Sequence, residues 1–127
     1  MSRILVVEDD DVIRKAISMY LHHCGYEVVT ACNGLEAVEV FASCPDLIDL
    51  VLTDLQMPVM TGNDAVHQIR KARPEAKIIC MTGYSEELCP KGTLLLKKPF
   101  RFEVLHEAVR RVLDSGLGNS LSVSPSN

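Results

Sequence analysis

Acidic, hydroxyl and ammonium side chains follow directly on short apolar runs at four places in this chain. Each run has the length of a β-strand. After the run that ends at Asp54, Pro58 prevents a helix from starting at once. The polar residues at these four run ends are Glu8 and Asp9, then Asp54, then Thr82, then Lys98. Their chemical types suggest one polar site, provided that the fold brings the run ends together.

The elements that carry these residues alternate between strand and helix patterns. Strands are predicted at residues 3–7, 26–31, 47–54, 77–81 and 93–96. Helices with apolar positions three and four residues apart follow the first, second, third and fifth strands. The first of them is capped by Asp10 or Asp11 and closed by Gly25, and the second starts at Asn33-Gly34. The apolar positions expected on the helices are Ile13, Ala16, Ile17, Tyr20, Leu21 and Cys24; Ala37, Val38, Phe41 and Ala42; Ala65, Val66, Ile69 and Ala72; and Phe102, Leu105, Ala108, Val109, Val112 and Leu113.

Continuous apolar strands that alternate with helices predict an α/β fold, with a parallel sheet covered on both faces. Ligands in such sheets bind outside the carboxyl ends of the strands. The acids, the threonine and the lysine are therefore expected on one rim. Carboxylates that lie close together repel one another unless a hard cation such as Mg²⁺ lies between them. With a hydroxyl and an ammonium group nearby, this arrangement suits phosphoryl chemistry, with Asp54 as nucleophile and Glu8 and Asp9 as cation ligands.

Length, composition and charge exclude several other classes. The 127 residues fit one domain, residues 1–115, and the Gly, Ser, Asn and Pro content after Ser115 predicts a flexible tail at 116–127. A formal net charge of −4 without a Lys/Arg cluster argues against direct binding of nucleic acid. No apolar run has the length of a membrane span or resembles a secretory signal, which predicts a cytoplasmic protein.

Cysteine and histidine residues do not suggest a metal site. The five cysteines are odd in number and form no C-x-x-C pair, so they are interpreted as reduced thiols that act as small packing residues. The four histidines lie within helical patterns without an H-x-x-x-H pair. They are therefore interpreted as residues of helix surfaces or boundaries.

Four segments of the chain closely resemble the receiver domain of two-component response regulators. They are residues 5–10 (LVVEDD), 53–62 (TDLQMPVMTG), 81–83 (MTG) and 98–100 (KPF). The resemblance spans residues 3–114. It implies a flavodoxin-like (βα)5 fold, in which a doubly wound five-stranded parallel sheet has the strand order 2-1-3-4-5. It also implies a signalling domain rather than an enzyme, one that promotes its own phosphotransfer and slow dephosphorylation.

The resemblance also implies a role for each matching residue. Asp54 accepts a phosphoryl group from a phosphohistidine of a sensor histidine kinase or a histidine phosphotransfer domain. Asp9, Asp54 and the backbone carbonyl of Gln56 bind Mg²⁺ directly, and Glu8 acts mainly through water. Thr82 is the switch hydroxyl and Lys98 pairs with a phosphoryl oxygen. The Lys98-Pro99 peptide bond is expected to be cis, and the domain is expected to act as a monomer.

Two departures from the family pattern concern the output of the domain. Leu95 occupies a position, three residues before the lysine, that is often aromatic in the family. Residues 83–92 leave space for only one or two turns of a fourth helix, since Pro90 and Gly92 limit its length. A shortened fourth helix resembles the C-terminal receivers of hybrid histidine kinases. A free-standing receiver that lacks this helix is the alternative.

Other functions remain open for the same architecture. An aspartyl-phosphate hydrolase typically carries a second acid two residues after its nucleophile, and here Gln56 stands in that position. A nucleotide-binding or flavin-binding module needs a loop rich in Gly, Ser or Thr after the first strand, where this chain has four acids. The third alternative is an interaction domain that keeps the fold and works without phosphorylation.

Overall fold

A computed structural model describes residues 2–44, 46–57, 59–83 and 90–115 of the chain. Within these ranges the chain forms five strands and four helices. In chain order they are β1 (Arg3–Val7), α1 (Asp11–His23), β2 (Glu27–Ala31), α2 (Gly34–Ser43), β3 (Leu50–Asp54), α3 (Gly62–Ala72), β4 (Ile78–Thr82), β5 (Leu94–Lys97) and α4 (Phe102–Asp114). None of the helices in the described ranges is both long and apolar enough to span a bilayer.

The five strands form one parallel sheet in the order β2-β1-β3-β4-β5. This confirms the predicted flavodoxin-like fold and its strand order. The expected shortened fourth helix involves residues 84–89, which lie outside the described residues, as does the expected tail at 116–127.

Two apolar cores lie on opposite faces of the sheet. Successive residues of β1 alternate between them, with Ile4 and Val6 in one core and Leu5 and Val7 in the other. Buried residues of α1 and α4 complete the first core, and those of α2 and α3 complete the second. Every residue of β3 and β4 is buried, as expected for central strands covered on both faces.

The helix ends follow the capping residues that the sequence predicts. Asp10 is the N-cap of α1, and its carboxylate accepts hydrogen bonds from the N–H groups of Val12 and Ile13 at 2.9 and 3.0 Å. Gly25 follows α1 with a φ of +100°, a left-handed conformation that favours glycine. Asn33 caps α2 by accepting a hydrogen bond from the N–H of Glu36 at 2.8 Å.

Some boundaries and helix faces differ from the prediction. β4 and β5 each extend to the polar residue after the apolar run, because Thr82 and Lys97 are themselves partners in the sheet ladder. Ala42 and Ala72, expected on the apolar faces of α2 and α3, are exposed. Ala42 directly follows the buried Phe41, and Ala72 lies three residues after the buried Ile69. A small alanine at the edge of an apolar stripe contributes little buried area. Ile13 of α1 is also exposed.

Candidate functional site

The predicted site residues meet at one rim of the sheet, formed by the carboxyl ends of the strands. Asp54 and Thr82 are the last residues of the neighbouring strands β3 and β4. Glu8 follows β1, and Lys98 follows β5. The parallel direction of the strands therefore brings together residues that are up to ninety positions apart in sequence.

Lys98 bridges two buried carboxylates. Its Nζ donates hydrogen bonds to Oε1 of Glu8 at 2.9 Å and to Oδ2 of Asp54 at 2.8 Å. Only 1% of Glu8 and 4% of Asp54 is exposed to solvent. Two carboxylates so far from bulk water need a cation, and the ammonium group supplies one.

Burial and pairing shift the pKa values of Glu8 and Lys98. Burial raises the pKa of Glu8 above its ordinary value, although the hydrogen bond from Lys98 opposes that rise. Burial alone lowers the pKa of Lys98, but the hydrogen bonds to Asp54 and Glu8 outweigh it, so that the pKa of Lys98 is raised. Lys98 is thus held as a cation at neutral pH.

The acids at this rim fit a divalent cation. Oxygen atoms of Glu8, Asp9 and Asp54 lie within 4.8 Å of one another. Carboxylate oxygens grouped in this way are the hard ligands that Mg²⁺ prefers, so the cluster could hold one such ion. Asp9 is exposed and leaves the cluster open to solvent on that side.

Thr82 forms a second, uncharged part of the site with Gln56. The Thr82 hydroxyl is fully buried and donates a hydrogen bond to Oε1 of Gln56 at 3.1 Å. The N–H of Gln56 in turn donates to Oδ1 of Asp54 at 3.0 Å. The sequence assigned Gln56 a role through its backbone carbonyl and did not predict the contact of its side chain. The feature that could have indicated this contact is the pairing of β3 with β4, which places the residues after Asp54 beside Thr82.

Backbone contacts that the sequence did not predict hold the acids in place. The N–H of Asp10 donates to the second oxygen of Glu8 at 3.1 Å, and the Arg14 guanidinium donates to the Glu8 carbonyl at 2.9 Å. Gly62 at the start of α3 packs directly against the end of β3. A Cβ atom at Gly62 would lie 2.2 Å from the Asp54 carbonyl oxygen, so a side chain cannot be accommodated without movement of the backbone.

Two further expectations concern the neighbourhood of Lys98. The Lys98-Pro99 peptide bond is cis, as the family resemblance implied. Leu95, in the position that is often aromatic in the family, is half-buried and packs against the core on the α2 and α3 side of the sheet.

The chain is similar to known proteins in its family match, in its sequence and in its structure. The family model described as the response regulator receiver domain matches residues 4–110. Among curated proteins, the sensor kinase CckA of Brucella abortus is 32% identical over 117 residues, which cover 87% of this chain and 12% of that protein. The autoinducer 1 sensor kinase/phosphatase LuxN of Vibrio campbellii is 42% identical over 84 residues, which cover 66% of this chain and 10% of that protein.

The chain thus spans about a tenth of the length of these two sensor kinases. It covers 98% of the response regulator receiver protein CpdR of Brucella abortus, at 31% identity over 119 residues and 89% of this chain. Receivers within a large kinase and a protein of receiver size therefore both occur among its relatives.

Solved structures agree with the family match. A receiver domain from Clostridium thermocellum has a TM-score of 0.85 at 30% identity and covers 91% of this chain and 97% of its own. The receiver of the hybrid histidine kinase CckA has a TM-score of 0.81 at 32% identity, with coverages of 89% and 100%. From its fold, its rim of polar residues and these matches, the chain belongs to the response regulator receiver domains of two-component signalling systems.

Proposed function

We propose that residues 1–115 act as a phosphoacceptor domain in which Asp54 takes a phosphoryl group from a phosphohistidine. The donor is a sensor histidine kinase or a histidine phosphotransfer domain. The observation that carries this proposal is the burial of the Asp54 carboxylate, 2.8 Å from a lysine ammonium group and beside two further acids.

The proposed reaction transfers phosphorus from nitrogen to oxygen. A carboxylate oxygen of Asp54 attacks the phosphorus atom, the phosphorus–nitrogen bond to the donor histidine breaks, and an acyl phosphate forms on Asp54. Lys98 already contacts Asp54, so it can stay close and neutralise charge on a phosphoryl oxygen. Without the Lys98 ammonium group, the negative charges of the acidic rim would repel an incoming phosphoryl group. This cation is therefore essential to the proposed transfer.

Asp9, Asp54 and the Gln56 carbonyl are proposed to hold Mg²⁺, with Glu8 acting through water. Bound there, the ion neutralises charge on the carboxylates and on the phosphoryl group. Glu8 is suited to the indirect role because Lys98 and the N–H of Asp10 already occupy its two oxygens. Asp9 is exposed and is suited to direct binding.

Thr82 is proposed to change partners on phosphorylation. Its hydroxyl contacts Gln56, so it has to leave that contact before it can donate to a phosphoryl oxygen. Gln56 has no acidic proton or basic carboxylate to activate water in the manner of a hydrolase acid. The site therefore favours a phosphoprotein that persists over a hydrolase that turns over small substrates.

The test is intact-mass spectrometry after incubation with a small phosphodonor such as acetyl phosphate, with and without Mg²⁺. The wild-type chain should gain the mass of one phosphoryl group, and the gain should need Mg²⁺. Asp54→Asn should abolish it. Asp64→Asn, which removes an exposed acid in the first turn of α3, is the matched control and should be phosphorylated normally.

Persistent modification of Asp54→Asn would place the phosphoryl group elsewhere and refute the assignment. A wild-type chain that stays unmodified with both the small phosphodonor and a phosphorylated histidine kinase would favour a domain that works without phosphorylation.

A further inference from the structure

A cluster of cysteine, histidine and tyrosine lies between α1 and α4, separate from the acidic rim. Cys24 is the C-cap residue of α1, and its Sγ lies 3.7 Å from Nδ1 of His106 on α4. The two residues are 82 positions apart in sequence, so the contact is created by the packing of the two helices. We propose that Cys24 is a reactive thiol that hydroperoxides oxidise to a sulfenic acid, with His106 as the proton acceptor.

The rings around His106 fix its position. Tyr20 and Tyr26 contact the imidazole edge-on, with ring centroids 6.3 and 5.8 Å away. The nearby Cys24 thiol also raises the pKa values of both tyrosines. Partial burial raises the pKa of Tyr20, and a hydrogen bond with Cys24 raises it further. The same phenol can therefore donate a hydrogen bond to the sulfur atom when the sulfur carries a negative charge.

Charged or titratable groups near the two tyrosines are Glu103, beside Tyr20, and Arg110 and Asp114, beside Tyr26.

The proposed oxidation balances with one hydroperoxide molecule. His106 Nδ1 takes the thiol proton, and the thiolate sulfur attacks the terminal peroxide oxygen. The oxygen–oxygen bond breaks, one oxygen stays on sulfur as S–OH, and the other leaves with its substituent as an oxyanion. The imidazolium returns the proton to that oxyanion. Sulfur loses two electrons and the peroxide gains them.

Each of the other described cysteines differs from Cys24 in its access to solvent or in the partner of its thiol. Cys32 is exposed, but a hydrogen bond to the Glu36 carboxylate raises its pKa. Cys44 donates its S–H to the Val40 carbonyl at 3.5 Å, and a carbonyl does not take up the proton. Cys80 is fully buried. These three thiols therefore serve as internal standards, and Cys89, outside the described residues, is replaced by serine in every variant.

The experiment treats the folded Cys89→Ser chain with increasing hydrogen peroxide in the presence of dimedone, which couples to sulfenic acids. Peptide mass spectrometry then gives a rate for each cysteine. Cys24 should be labelled about tenfold faster than Cys32 or Cys44, as expected for a thiol with an adjacent proton acceptor. His106→Gln should bring Cys24 down to their rate and move the pH dependence of its labelling to higher pH.

Controls separate this effect from damage to the fold and from phosphorylation. His67→Gln, which replaces an exposed histidine of α3, should leave the Cys24 rate unchanged. Asp54→Asn should also leave it unchanged, because the acidic rim takes no part in the chemistry. Cys80 reports unfolding, since it is labelled only when the core opens.

The proposal is overturned if Cys32 or Cys44 is labelled as fast as Cys24. It is also overturned if His106→Gln keeps the Cys24 rate and pH profile while Cys80 stays protected. If Cys80 becomes labelled in His106→Gln, that variant has opened the core. The His106→Asn variant and the pH profile of the parent chain then decide whether His106 acts on Cys24. In the parent chain, a Cys24 profile that coincides with that of Cys44 refutes the role of His106.

Discussion

The two parts of the polar rim differ in how they are organised. Glu8, Asp54 and Lys98 form a buried charged corner, with hydrogen bonds of 2.8 and 2.9 Å already in place. Thr82 and Gln56 form an uncharged corner, in which the Thr82 hydroxyl donates to the amide oxygen of Gln56. If the rim has the proposed function, the charged groups are already paired before phosphorylation, whereas the Thr82 hydroxyl has to leave Gln56 to reach a phosphoryl group.

The charged corner should show the largest effect of mutation. Lys98→Met removes the cation and leaves Glu8 and Asp54 buried without it, so phosphorylation should slow by about 100-fold. The free energy of unfolding should fall by about 1 to 3 kcal/mol, an estimate that allows for the partial exposure of Lys98. Lys97→Met, one residue earlier and exposed, is the matched control. Equal effects of the two variants would contradict the role of Lys98.

Gly62 tests whether the backbone behind the charged corner is as tightly fixed as its side chains. Gly62→Ala places a Cβ 2.2 Å from the Asp54 carbonyl oxygen and should lower the free energy of unfolding by about 1 to 3 kcal/mol. Gly83→Ala meets no atom of the described residues within 4 Å and is the control. Guanidinium chloride unfolding of both variants gives the comparison. A Gly62→Ala chain as stable as Gly83→Ala would show that the backbone at Gly62 is not tightly packed against the Asp54 carbonyl.

The uncharged corner should show a smaller effect on phosphorylation. Thr82→Ala removes the hydroxyl but keeps the charges, so the rate of phosphorylation should fall about tenfold or less, whereas Thr82→Ser should retain most of it. Rates from phosphoprotein gels or intact-mass spectra distinguish these outcomes. A loss as large as that of Lys98→Met would mean that the hydroxyl acts in the transfer itself.

A pair outside the rim should show the smallest effect. Hydrogen bonding to the Cys32 N–H lowers the pKa of Glu36, which therefore stabilises the folded chain above its unfolded-state pKa. This contribution is lost as the pH falls through the lowered folded-state value. Glu36→Gln should cost about 0.5 kcal/mol at neutral pH and nothing in acid, with phosphorylation unchanged. Chemical unfolding of both chains at several pH values tests this prediction. A stability difference between wild type and Glu36→Gln that grows in acid would contradict it.

The sequence predicted the rim because its signals are local. A polar residue after an apolar run marks a strand end, and parallel strands bring their ends together, so Asp54, Thr82 and Lys98 could be placed before the structure was known. The side-chain contacts could not be placed in this way. Whether Lys98 bridges Glu8 and Asp54, or Thr82 contacts Gln56, depends on rotamers and on distances of a few tenths of an ångström.

The same limit explains the errors of the sequence prediction. Ladder pairing extends β4 and β5 by one polar residue, which no apolar pattern indicates. The contact of Cys24 with His106 joins two residues that the sequence assigned to packing and to helix surfaces. It depends on how α1 and α4 pack against the same face of the sheet.

The most direct test of the central claim is to locate the modified residue chemically. After phosphorylation with acetyl phosphate and Mg²⁺, borohydride reduction converts an aspartyl phosphate to homoserine, which peptide sequencing by mass spectrometry identifies by position. The account predicts homoserine at position 54 and an unchanged residue at Asp9. Homoserine at any other aspartate, with Asp54 intact, would contradict it.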